Sequence, residues 1–156
     1  MKRFFNRKIW GSDAGSALVE LALTLPILVF AMVCAADFAR VFYTAMELTN
    51  AARAGAQYGA INPAQSGDIA GMQTTATGSV NMTGVNAAAS RSCFCATGLW
   101  SFSPAACSTT CTGGQHLVVT VTVTTSKVFT TVVGAFPGVP HTVSLVRAAT
   151  LRVPGS

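Results

Sequence analysis

The chain opens its regular pattern with a long apolar run. Ala17 to Ala36 is 20 residues, with Glu20 near its start and no charge at all from Leu21 to Ala36. That length is close to the roughly 20 residues a helix needs to cross a bilayer. Beyond it, Phe38, Val41, Phe42, Ala45, Leu48, Ala52 and Ala56 recur at three- and four-residue steps and mark one face of a helix. The two stretches together predict one helix over residues 17–60, about 65 Å long at about 1.5 Å per residue. Pro26 removes one hydrogen bond inside it and predicts a bend. Ala51, Ala52, Gly55, Ala56 and Gly59 form a small-residue face that admits a second backbone, either this chain's own sheet or a neighbouring subunit.

Asn62-Pro63 ends the helix, and residues 64–92 are rich in Ala, Gly, Ser, Thr and Asn, with a short second helix predicted over Asp68–Thr77. Residues 93–111 read as a cysteine-bearing loop that includes Trp100 and Phe102. Leu117–Thr125 then alternates strictly, valines against threonines, as a half-buried strand does. Lys127–Pro140 holds a short apolar piece and a turn signal at Pro137-Gly138. His141–Val153 reads as a second strand whose inward set, Val143, Leu145, Ala149, Leu151 and Val153, is broken by Arg147, at a bulge, a strand end or an aqueous rim. An antiparallel pair packed on the outer half of the helix gives an α+β architecture. The divisions are a leader over 1–15, a transmembrane and stalk helix over 16–60, and a small α+β domain over 61–156.

Composition sharpens the membrane reading. Hydrophobic residues are 51% and charged residues only 10% of the 156, against about 25% charged in ordinary soluble proteins. The net charge of +5 is unevenly spread: Lys2, Arg3, Arg7 and Lys8 against Asp13 leave the first 15 residues at +3. Positive charge before the span and Asp37 just after it place the N-terminus in the cytoplasm and the C-terminal domain outside. The leader differs from a secretory signal, because the apolar run follows the small-residue site instead of preceding it. No basic patch with interleaved aromatics is present, so nucleic acid is not an expected partner.

Four of the five cysteines, Cys93, Cys95, Cys107 and Cys111, cluster as C-x-C and C-x3-C. Outside the cytoplasm such an even cluster points to disulfides. Bonding Cys93 to Cys95 would close a very tight ring, so cross-pairing with Cys107 and Cys111 is preferred. Zinc is the alternative, but C-x-C strains tetrahedral ligation. Cys34, in the apolar run, is expected to be inert. Asp37 and Arg40 read as a solvated ion pair at the membrane exit, worth about 0 to 1 kcal/mol. His116 and His141 open the two strands with no acid or nucleophile beside them. With no nucleophile elbow, phosphate loop or carboxylate pair, neither an enzyme nor a cofactor is expected.

Gly15, Glu20 five residues on, Pro26, the acid and Arg40 after the span, and the Thr49-Asn50-Ala51-Ala52-Arg53 segment together resemble TadE-like proteins. These are minor pilins or pseudopilins of the tight-adherence (Flp, type IVc) pilus. The resemblance is carried by about residues 14–60 and explains none of the cysteines. It differs at Leu21, where family members often have an aromatic. It implies cleavage between Gly15 and Ser16 by a prepilin peptidase, and a role for Glu20 in assembly. The implied partners are other pilin and pseudopilin subunits, the assembly platform and the lipid bilayer of a bacterial inner membrane, for a pilus that serves surface attachment. The alternative is an uncleaved single-pass protein presenting a disulfide- or zinc-stabilised binding module.

Overall fold

The structure is a computed structural model and describes residues 13–97, 101–135, 138 and 140–154. The four basic residues of the leader, Trp100 and Pro137 lie outside the described residues. Helix α1 runs Asp13–Ala60, 48 residues without interruption at Pro26, or about 72 Å at about 1.5 Å per residue. A single 3-10 turn, Gln65–Gly67, leads to α2, Ile69–Gly78. The sheet has four strands: β1 (Asn86–Thr97), β2 (Ser101–Ala105), β3 (His116–Thr130) and β4 (Thr142–Arg152). Their order is β2-β1-β3-β4 and every pairing is antiparallel. The architecture is α+β, a long apolar helix followed by a small antiparallel sheet.

β1 and β2 fall where small and polar residues gave no strand signal, and they replace the expected loop. β1 reads NAAASRSCFCAT, with no Val, Ile or Thr before its last residue, so its propensity alone is poor. It is held by its register against β3, from Asn86↔Ser126 to Ala96↔His116. β3 extends five residues beyond Thr125, and a second 3-10 turn, Val133–Ala135, follows it. The β3–β4 register runs from Thr120↔Arg152 to Thr130↔Thr142 without a slip, so Arg147 sits at no bulge. β4 is an edge strand, and Arg147 is exposed on its rim with Nη1 donating to the Val146 carbonyl at 2.8 Å.

The core lies between the sheet and the outer half of α1. The small face is filled by this chain's own elements: Ala51, Ala52 and Ala56 are fully buried. A Cβ on Gly55 would stand 2.7 Å from the Met72 carbonyl oxygen, so only glycine lets α2 approach this closely. Val121 and Val123 of β3 pack with Met72 and Ala76 of α2 on one side of this contact. A second cluster, Leu48, Phe129 and Leu145, lies nearer the span. Thr125 stands where the inward valine series would continue, and its buried hydroxyl donates to the Leu48 carbonyl at 2.8 Å. That bond offsets the cost of burying a polar group in the helix–sheet seam.

α2 is started by Asp68, whose Oδ1 accepts the Gly71 N–H at 2.9 Å as an N-cap. Its Oδ2 accepts from the Tyr58 hydroxyl at 2.8 Å, which ties the cap back to α1.

Candidate functional site: the apolar helix and its junction with the sheet

The first half of α1 has no cover. Its most apolar 18-residue window has a mean hydropathy of 2.4, and none of it is buried within the protein. Leu18, Leu23, Ile27, Leu28 and Met32 are all more than 60% exposed. A core helix of a soluble domain would be covered, so this segment requires an apolar medium or apolar neighbours. It is long and apolar enough to be a single-pass membrane anchor.

Gly15 and Ser16 lie in the first turn of α1, and Glu20 follows one turn later on the same face as Ser16. Glu20 is exposed. Among the described residues it makes no ion pair. Its backbone carbonyl accepts the Thr24 hydroxyl at 3.0 Å. From Ala17 to Ala36 the one ionisable carboxylate on this apolar cylinder is that of Glu20.

At the exit from the apolar run the structure corrects two expectations. Asp37 is not solvated: it is 6% exposed. Its Oδ2 accepts the Val133 backbone N–H at 2.8 Å and its Oδ1 accepts from Arg40 Nη1 at 3.1 Å. Arg40 in turn lies over the Phe129 ring, 5.1 Å from its centroid. The pair fastens the helix to the end of β3. Because Asp37 turns inward, the buried face is rotated from the expected one. Asp37, Thr44, Ala45 and Leu48 are buried, while Phe38 and Phe42 are 73% and 57% exposed. The sequence signal was present in the i, i+3 acid–base pair, but apolar periodicity alone placed the aromatics inside.

The four clustered cysteines form two disulfides, Cys93–Cys107 and Cys95–Cys111. Residues two apart on a strand point to the same side. The C-x-C of β1 thus presents both sulfurs to the segment that follows β2, and sulfurs bonded this way are not thiolates for zinc. Cys34 is a free thiol, partly covered. His116 and His141 do not meet: His116 opens β3, and His141 accepts from Thr131 N–H just past its far end. The 15 residues of β3 set them on the order of 45 Å apart at about 3.3 Å per residue.

Residues 15–57 match the family model described as TadE-like protein. The match lies wholly within α1 and takes in Gly15, Ser16, Glu20, Asp37 and Arg40. Over this segment the chain is similar to TadE-like proteins. No curated protein and no solved structure matches the chain.

Proposed function

We propose that this chain, TadE-like over residues 15–57, is a pseudopilin. It is held in the bacterial inner membrane by α1, cut by a prepilin peptidase between Gly15 and Ser16, and then used in assembly of a tight-adherence pilus for surface attachment. The observation that carries this reading is a 48-residue helix whose apolar run, Ala17 to Ala36, is not buried by the rest of the protein and carries one carboxylate, that of Glu20.

The geometry supports each step. The Gly15–Ser16 bond lies in the first turn of α1, where the amide groups have no partners within the helix and the end frays at little cost. Gly15 lowers the helical preference further, by about 1 kcal/mol relative to Ala, and offers no side chain to obstruct a protease. Hydrolysis leaves a new α-amino group on Ser16. That cation sits at the positive end of the helix dipole, an unfavourable place. The Glu20 carboxylate, one turn along, offsets both charges. It does so from the same chain or, within an assembly, from a neighbour, where the contact also fixes axial register.

The disulfide-braced sheet is the part presented beyond the membrane. Replacing Glu20 by Ala tests the assembly role in cells that make the pilus. The expected outcome is a cleaved subunit that accumulates in the membrane, with filaments reduced at least tenfold. Normal piliation by the variant would exclude Glu20 from assembly.

A further inference from the structure

β1 ends its pairing with β3 at Asn86↔Ser126, while β4 continues alongside β3 to Thr130. Residues 127–130 of β3 therefore have no strand on their β1 side. The gap between this bare edge and α1 is an open groove of about 590 Å³, lined by Arg40, Tyr43, Lys127, Val128 and Phe129 among others. Two cations face it. Arg40 is half exposed and gives only one nitrogen to Asp37, leaving most of its five donors available. Lys127 donates to the Thr83 carbonyl at 2.6 Å and has no carboxylate partner among the described residues. Tyr43 and Val128 supply exposed apolar walls, 58% and 64% accessible.

The position of the groove is fixed relative to the apolar run. β3 runs antiparallel to α1, since Val123 meets Gly55, Thr125 meets Leu48 and the segment after β3 meets Asp37. Its end thus lies at the inner end of the sheet. Arg40 is four residues past Ala36, about 6 Å along the helix axis. A headgroup layer is about 5 to 8 Å deep on each side of the hydrocarbon. Arg40 falls within that layer, and Tyr43, about 10 Å along the axis, lies just beyond it with a ring long enough to reach back to the interface where Tyr and Arg are favoured. The chain itself has little negative charge to offer the groove. Of its acids beyond the span, Asp37 and Asp68 are already committed to other donors, which leaves only Glu47.

We propose that this groove seats the phosphate headgroup of an anionic phospholipid from the adjoining leaflet. Arg40 and Lys127 bracket the phosphate, and the Tyr43 and Val128 walls meet the glycerol and upper acyl carbons. The inference rests on α1 being membrane-anchored. Extraction of the chain from membranes by alkaline carbonate would remove that premise separately.

The test uses the full chain in nanodiscs holding equal amounts of phosphatidylglycerol and phosphatidylcholine, released and weighed by native mass spectrometry. The wild type is expected to retain phosphatidylglycerol preferentially. Lys127→Gln should lower that preference about fivefold, the equivalent of about 1 kcal/mol for one basic residue at an anionic surface. Arg40→Gln should lower it by a similar factor. Because Arg40 also holds Asp37, Lys127→Gln is decisive, provided that both disulfides form in it. Three results would overturn the proposal: no preference in the wild type, an unchanged preference in Lys127→Gln, or displacement of the lipid by millimolar inorganic phosphate. Release as a lipid-free dimer would overturn it as well, by assigning the bare β3 edge to a second copy.

Discussion

Both oxygens of Asp37 are engaged at the point where the helix leaves its apolar stretch, one by Arg40 and one by the Val133 N–H. Asp37→Ala leaves that buried N–H without an acceptor. The expected loss is about 1 to 3 kcal/mol, read as a lower denaturant midpoint for the full chain in detergent. Asp37→Asn keeps an acceptor and should lose less. A second residue-scale device is the Asp68 cap. The Gly71 N–H, and then the Tyr58 hydroxyl, hold the Asp68 carboxyl below its ordinary value of 3.8. The same bond, with burial and the Asp68 charge behind it, raises the Tyr58 phenol above 10.0. A carboxyl depressed in the folded state favours folding above its unfolded value and loses that contribution as pH falls through the folded one. A raised phenol favours folding below its unfolded value and loses that contribution as pH rises through the folded one. Tyr58→Phe should move the Asp68 titration, followed by carboxyl NMR, back toward 3.8. An unmoved titration would mean that the tyrosine does not hold the cap.

At the scale of elements, the strands β3 and β4 were legible from their two-residue period and α1 from its long apolar run, whereas α2 was read over Asp68–Thr77 from a stretch with little apolar periodicity. β3 is the clearest case, with valines inward and threonines outward until Thr125, where a hydroxyl takes the inward place because a helix carbonyl receives it. β1 was not legible. The alternate positions Ala87, Ala89, Cys93 and Cys95 are covered while Arg91 between them is exposed, and these residues are too small or too polar to register as a hydrophobic period. What secures such a strand is its long register with β3 and the two disulfides at its end. Removing Cys95–Cys111 by a double Ser substitution should cost about 2 to 4 kcal/mol, seen as a lower melting temperature. Non-reducing peptide mapping of the wild type should recover Cys93 with Cys107 and Cys95 with Cys111. The contact of α1 with α2 is equally specific. Gly55→Leu drives a side chain into the Met72 carbonyl and should destabilise the domain by about 1 to 3 kcal/mol or more, whereas Ala at the exposed Gln57 should be nearly neutral.

At the scale of the molecule, one helix serves two environments. Its outer half is covered by the sheet and α2, and its inner half is bare and apolar. Gly15, Ser16 and Glu20 stand in the sequence as one small junction and one acid set against an apolar run, and their proposed roles await the cleavage and assembly tests. The junction at Asp37 was not legible, because its meaning depends on Val133, which lies 96 residues away. If α1 is first an anchor and later a filament contact, the passage between them begins with the cut that creates the Ser16 amine. The most direct test is the N-terminal sequence of the chain recovered from cells with an active prepilin peptidase. A mature protein that begins at Ser16 is expected there, and the uncut chain in cells lacking the peptidase. Recovery of intact Met1 from both would contradict this expectation.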